Sequence, residues 1–443
     1  MRHRLLRLWL ALAVAARVSA EDAPGAPPIV RLSLDDALAR ARATSSRLAS
    51  LLALSRAAGQ GVSGALAGRR PEVDLSAGYT RNSNVPELTI AFPGSAPRTL
   101  FPNLPNNWRS RISAIMPLYT GGRVEGLVAS AREGERAAVS DRGAAENDLL
   151  LEAHAAYVNV LFARENARVL SEAIASYEAH LKDARNRKDF GLIASNEVLS
   201  VTVERERAEL GRIQSENAAA IAAANLLRLV GLPPETKLDL QAPDEATLTP
   251  TQTIEELAAR ALSARPELEA LRSRIRAANA AVGVAHSAKQ PQAGLQAGYD
   301  YANPNPRILP LSADWKTSWS LGVNVAWKVL DGGRADASAA QAQALCDALR
   351  FQLLDLEARI RLEVTTRKLE LDSALAARSV ARSATLAARD AVRVTRDRYQ
   401  QGVSLSSDLL DAETRLLRAE LDATQTQAQI QLAQANLARA VAR

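Results

Sequence analysis

Asp408 and Asp411 stand at i and i+3 near the start of a helical pattern, so they share one helical face. Carboxylates in that position can offset the positive end of the helix dipole. Nothing in the chain adds catalytic chemistry to them. The histidines, at positions 3, 154, 180 and 286, lack metal-ligand spacing. The single cysteine, Cys346, lies in a helical run and gives no disulfide framework. The chain shows no Gly-rich phosphate loop and no Ser/His/Asp set. The expectation is a protein that is not an enzyme and needs no cofactor or metal.

The aspartates follow a turn. The run Tyr399-Gln400-Gln401-Gly402 ends one helix, with Gly402 where a helix C-terminus wants a left-handed residue. Ser406 or Ser407 caps the next helix. Leu409, Leu410, Leu416, Leu417 and Leu421 give it an apolar stripe. A twin hairpin turns at Gly191, and there Glu197 and Ser200 stand where the later hairpin has Asp408 and Asp411.

Aligning Gly191 with Gly402 sets an offset of 211 residues. At that offset Arg207-Ala208-Glu209-Leu210 meets the identical Arg418-Ala419-Glu420-Leu421, and Ala224-Asn225-Leu226 meets Ala435-Asn436-Leu437. Gly121-Gly122-Arg123 meets Gly332-Gly333-Arg334, and Trp108 meets Trp319. Upstream the offset is 220: Ser33-Leu34-Asp35-Asp36 meets Thr253-Ile254-Glu255-Glu256, Pro71 meets Pro291, and Gly78-Tyr79 meets Gly298-Tyr299. The chain reads as a two-unit internal repeat with a longer loop between Tyr79 and Trp108.

The first residues carry Arg2, Arg4 and Arg7, an apolar run over 8–14 and small residues at Val18-Ser19-Ala20. That is the pattern of a secretory signal peptide over 1–20, cut after Ala20. Removing it takes the formal charge from +6 to +2, because it holds Arg17 as well and no acidic residue. The basic balance therefore does not argue for a nucleic-acid partner. Residues 21–31 read as a loosely ordered Pro/Ala tail.

The first unit, 32–230, begins with a helix capped by Ser33 that reaches about Gly68, with Gly59, Gly61 and Gly64 allowing a bend. Period-two alternation then predicts strands at 72–80 and 108–117, separated by a proline-rich loop, with Pro117 ending the second strand. A helix over 122–188, roughly 100 Å at the helical rise, leads to the Gly191 turn and a helix over 195–230. A linker covers 231–252. The second unit, 253–443, repeats the order: a helix from Thr253 to about Ala288, strands at 292–300 and 318–328, a long helix over 334–399 and a last helix over 406–442.

On the strands Val73, Leu75, Ala77 and Tyr79 alternate with polar residues, as do Trp319, Leu321, Val323, Val325 and Trp327. Strands of about 9–10 residues with that pattern fit lipid on one face and water on the other, with aromatic belts at Tyr79, Trp108, Trp319 and Trp327. Four such strands do not close a barrel, since membrane barrels begin at about eight strands, so several copies must share one. Helices as long as these need partners along their length, as in a helical barrel. A periplasmic coiled-coil scaffold without a channel is the competing reading; it explains the helices and not the repeated alternating strands.

Taken together, the signal peptide, the internal repeat, the strand pairs followed by Gly-Gly-Arg, and the tip from Tyr399-Gln400-Gln401-Gly402 to Asp408-Leu409-Leu410-Asp411-Ala412 resemble the TolC family of outer-membrane efflux channels. The resemblance implies a mostly α, α+β membrane protein: a homotrimer with a 12-stranded outer-membrane barrel continuous with a long periplasmic helical barrel. It implies a periplasmic adaptor and an inner-membrane pump as partners, and a passive duct for drugs, metal ions or proteins. It places the periplasmic gate at Asp408, Asp411, Tyr399 and Glu197, with Ser404 standing where a basic latch residue occurs in the family. It places adaptor docking at Gly191, Ala194, Ser195, Gly402 and Ser406, and at Arg187 beside them.

Overall fold

The computed structural model describes residues 29–91, 93–242 and 252–442. The expected signal peptide, its cut after Ala20 and the tail up to residue 28 lie outside the described residues. The elements in chain order are β1 (Ile29–Leu32), α1 (Leu34–Thr44), α2 (Ser46–Ala67), β2 (Glu72–Arg81), β3 (Leu88–Ile90), β4 (Arg98–Phe101), β5 (Asn106–Tyr119), α3 (Arg123–Asp189) and α4 (Ser195–Val230). They continue with β6 (Lys237–Leu240), α5 (Ile254–Ala264), α6 (Pro266–Ser287), β7 (Gln292–Asn303), β8 (Lys316–Ala326), α7 (Arg334–Gln400) and α8 (Ser406–Ala440). The long helices α3 and α7 each run for 67 residues, and the protein is mostly helical.

Local chemistry explains the boundaries. Ser33 opens α1 and Thr253 opens α5 with capping boxes closed by Asp36 and Glu256. The first expected helix is two helices: Ser45 takes an extended conformation and separates α1 from α2. Gly59, Gly61 and Gly64 sit within α2 without interrupting it. The matching helix of the second half is also broken, at Arg265, which is extended because Pro266 follows it. The proline-rich loop holds a short hairpin, β3 with β4. Pro117 does not end β5 but sits at a register shift against β7, where the missing N–H is tolerated.

The chain divides into two compact units. One takes in the chain up to Ser45, Leu149–Thr251 and Arg367–Leu437. In it β1 pairs in parallel with β6, so residues 29–31 of the expected tail belong to a strand. The buried Tyr157 hydroxyl lies 2.8 Å from the Leu32 carbonyl and 2.6 Å from that of Gln241, pinning both strands. Leu170, Ile174, Tyr177 and Leu181 of α3 pack with Val201 and Ala208 of α4 and Leu410 of α8.

The other unit takes in Ser46–Asp148, Gln252–Thr366 and the chain from Ala438. Its sheet is antiparallel, in the order β2-β5-β7-β8. Arg439 reaches Asp148, Glu267 and Glu363, and Arg265 bonds the Ala440 carbonyl, so the end of α8 is held by charge-assisted hydrogen bonds.

Candidate functional site

The two hairpin turns are built alike. Gly191 and Gly402 both take a positive φ, 71° and 76°. At the first, the Leu192 N–H bonds the Arg187 carbonyl and the Gly191 N–H that of Lys188; at the second, Val403 bonds Arg398 and Gly402 bonds Tyr399. Both are Schellman closures of the preceding helix. They leave Phe190, Leu192, Val403 and Leu405 exposed. Gly191, Ala194, Ser195 and Gly402, expected at the docking surface, are exposed too. Ser406 is not: its side chain is buried, and its Oγ lies 3.0 Å from Nε2 of His180.

Asp408 turns back on its own helix start. Its Oδ2 accepts from the Leu405 N–H at 3.1 Å and from the Ser404 hydroxyl at 2.9 Å. That is the reaching-back half of a capping box, with charge at the positive end of the helix. Asp411, one turn on, is exposed. In the twin hairpin Glu197 holds the same place in the first turn of α4, and one of its carboxylate oxygens is buried without a hydrogen-bond partner.

Tyr399 is buried among charged groups. The Arg187 guanidinium lies 4.1 Å from the centre of its ring and donates to its carbonyl at 2.7 Å. The His180 ring meets it edge-on at 5.5 Å. Burial pushes the Tyr399 phenol up, against the opposing pull of Arg187. Arg187 thus caps the C-terminus of α7 from α3, rather than presenting itself outward.

Behind Tyr399 lies a buried polar cluster that no local sequence pattern marks. Oε2 of Glu413 is 2.9 Å from Nδ1 of His180; its Oε1 accepts from Ser176 and Arg396, both at 2.9 Å. Arg396 also donates to Ser176 at 2.8 Å. The Tyr177 hydroxyl and Thr414 Oγ1 are 3.2 Å apart beside it. The cluster ties α3, α7 and α8 together with every polar partner of the Glu413 carboxylate filled.

The strand sheet forms the second candidate surface. One face carries Val73, Leu75 and Tyr79 of β2, Trp108 and Ile112 of β5, Tyr299 of β7, and Trp319, Leu321, Val323 and Val325 of β8, all exposed. Register places Tyr79 beside Trp108, with ring centres 4.4 Å apart, and Tyr299 beside Trp319. Trp327 follows β8 and donates through Nε1 to the Lys289 carbonyl at 3.0 Å. The opposite face is polar: Asp74 and Ser76 on β2, Arg109 and Arg111 on β5, Asp300 on β7, Ser318, Ser320 and Asn324 on β8. Among the described residues no helix is long and apolar enough to cross a membrane, and no group of His, Cys, Asp and Glu could hold a metal ion.

A family model described as outer membrane efflux protein matches residues 37–232 and 257–443. The outer membrane protein TolC of Vibrio cholerae serotype O1 is 24% identical over 384 residues, covering 86% of this chain and 84% of that protein. Among solved structures, the CusC channel superposes with a TM-score of 0.78 at 16% identity, covering 92% of this chain and 91% of that one. The outer-membrane channel OprN gives 0.77 at 20% identity, covering 92% and 89%. The two matched segments, 37–232 and 257–443, account for most of the sequence, and the chain belongs to the outer membrane efflux protein family.

Proposed function

We propose that three copies of this chain form the outer-membrane duct of a tripartite efflux system. Their strands share one 12-stranded barrel, and their helices continue it as a twelve-stave periplasmic tunnel. The observation that carries this reading is the sheet β2-β5-β7-β8. It exposes a continuous apolar face, and β2 and β8 are unpaired edges among the described residues. An apolar face of this extent needs a partner phase. Unpaired edges need pairing or closure. Joining β8 of one copy to β2 of the next removes both edges and places the apolar face toward lipid. Tyr79, Trp108, Trp319 and Trp327 then serve as interfacial belts, and the polar face lines water.

At the tip, Asp408 and Asp411 form acidic rings around the periplasmic entrance. Tyr399 and Glu197 belong to the same closure, with Arg187 supplying the basic group that Ser404 does not. The exposed turns at Gly191, Ala194, Ser195 and Gly402 receive a periplasmic adaptor, which couples the duct to an inner-membrane pump. The duct itself does no chemistry, so energy comes from the pump.

Planar-bilayer recording tests this. The purified protein conducts, and hexaamminecobalt(III) blocks it from the tip side. The double variant D408N/D411N weakens that block. Absence of any conductance overturns the channel. Conductance with unchanged block leaves Asp408 only its capping role.

A further inference from the structure

We propose that the polar face of the strand sheet carries a binding site for multivalent anions, centred on Arg111. The placement of that face in a pore rests on the barrel reading above; the site itself is read from the sheet.

Arg109 and Arg111 stand at i and i+2 on β5, so both project to the polar face. Their register neighbours are short. Gly78 opposes Arg109 and Ser76 opposes Arg111 on β2; along β7 and β8, Gly298 pairs with Ser320 and Asp300 with Ser318. The two arginines therefore stand above a floor of glycine and serine.

The two differ in what they hold. Arg109 is neutralised, its Nε donating to Oδ1 of Asp300 at 2.8 Å, with that carboxylate almost fully buried. Asp300 is the register partner of Arg111 on β7, so the acid that stands opposite Arg111 is already engaged by its neighbour. Among the described residues Arg111 forms no ion pair, and its Nε is shielded from solvent without a hydrogen-bond partner. Its guanidinium lies along the floor over Gly298. A Cβ built there would come within 3.1 Å of both Nη2 of Arg111 and Oγ of Ser320. The next acid on this face, Asp74, opposes Ser113, one step further along the ladder.

A planar guanidinium presents a fork of donors matched to the oxygens of carboxylate, phosphate or sulfonate. Here it lies over Gly298, near the Ser320 hydroxyl, with the acid opposite it taken by a second arginine. Repeated by the symmetry of a shared barrel, three such forks would face one lumen, which favours an anion bearing several charged groups over chloride. The charge is opposite in sign to that of the tip aspartates, so the strand wall would select on a different property of a solute than the entrance does.

The test uses the full protein in planar bilayers with tripolyphosphate as blocker, comparing wild type, R111Q and R81Q. Arg81 stands on the apolar face in the row of Tyr79, where it donates to Asn106, and so controls for the loss of one positive charge. Wild type and R81Q are blocked alike. R111Q needs at least about tenfold more tripolyphosphate, the loss expected for one charge-assisted hydrogen bond, and its reversal potential in a KCl gradient moves toward cation preference. Block of R111Q at the wild-type concentration overturns the proposal while leaving the channel standing. A second readout needs no current: fluorescence anisotropy of pyrenetrisulfonate with the detergent-solubilised protein. Dye binding that is lost in R111Q and kept in R81Q supports the site. Equal binding by all three overturns it. A protein that binds the dye through Arg111 yet never conducts contradicts the duct and leaves the anion site.

Discussion

Arg187 and Tyr399 meet twice. The guanidinium of Arg187 lies 4.1 Å from the centre of the Tyr399 ring, and its Nη2 donates to the Tyr399 carbonyl at 2.7 Å. One side chain of α3 thus holds both the ring and the helix end of the second hairpin. A cation over an aromatic ring contributes about 0.5–2 kcal/mol, and a charged donor on a terminal carbonyl adds to it. R187A is expected to loosen the tip by roughly 1–3 kcal/mol while leaving the strand unit unaffected. Hydrogen exchange then accelerates across residues 396–405 and not in β5 or β7. Unchanged protection at the tip would mean that the contact is incidental.

Glu413 is buried in the same unit, accepting from Ser176 and Arg396 and facing His180. Removing it leaves the buried His180 without its partner at Nδ1, while Arg396 keeps its bond to Ser176. Leaving a buried hydrogen-bonding group unsatisfied costs about 1–3 kcal/mol. E413A should therefore lower the unfolding temperature of the purified protein well beyond the loss seen for H180Q, where an amide can still bond. Equal, small losses for both would show that water readily replaces the carboxylate.

Three glycines separate backbone strain from crowding. Gly191, Gly402 and Gly231 all take a positive φ, so alanine strains each of them by about 1 kcal/mol. A Cβ at Gly191 or Gly402 meets nothing within 4 Å, whereas at Gly231 it comes within 2.8 Å of Cβ of Thr44, which sits at the base of its side chain and has little room to yield. G231A is expected to cost clearly more than G191A in chemical denaturation. The double variant G231A/T44S should leave that cost in place, because serine keeps the offending Cβ. Equal costs for G191A and G231A would contradict the crowding argument.

His154 carries the pH prediction. Burial pushes its imidazole below the usual value of 6.5, and its Nε2 is buried without a partner. Because the folded pKa is lowered, the unfolded chain binds the proton first as pH falls. Stability is therefore full above pH 6.5 and declines from there down toward the folded value. Melting temperatures from pH 8 to 5 should show a shallower decline in H154Q than in wild type. Parallel curves would place the acid sensitivity elsewhere.

Much of this fold was legible because its signals are local. Ser33 and Thr253 announce helix starts, Gly191 and Gly402 announce turns, and the Trp319-to-Val325 alternation announces a strand. The break at Ser45 was not legible, since neither proline nor glycine marks it, while the glycines of α2 lie within one continuous helix. The β1–β6 pair joins segments about two hundred residues apart in parallel, a contact no local pattern encodes. The same holds for the tip: His180 and Glu413 are 233 residues apart, and each alone reads as an ordinary helical polar residue. Asp408 was legible as a cap; the turning of Ser406 inward onto His180 was not.

A closed duct requires strands shared between copies, and the mass of the unheated, detergent-extracted protein tests that most directly. A species of three times the mature chain mass, extracted only with detergent and falling to the single-chain mass on heating, is the expected result. A monomer recovered without detergent would contradict it, because the apolar face from Val73 to Val325 would then face water with nothing to cover it.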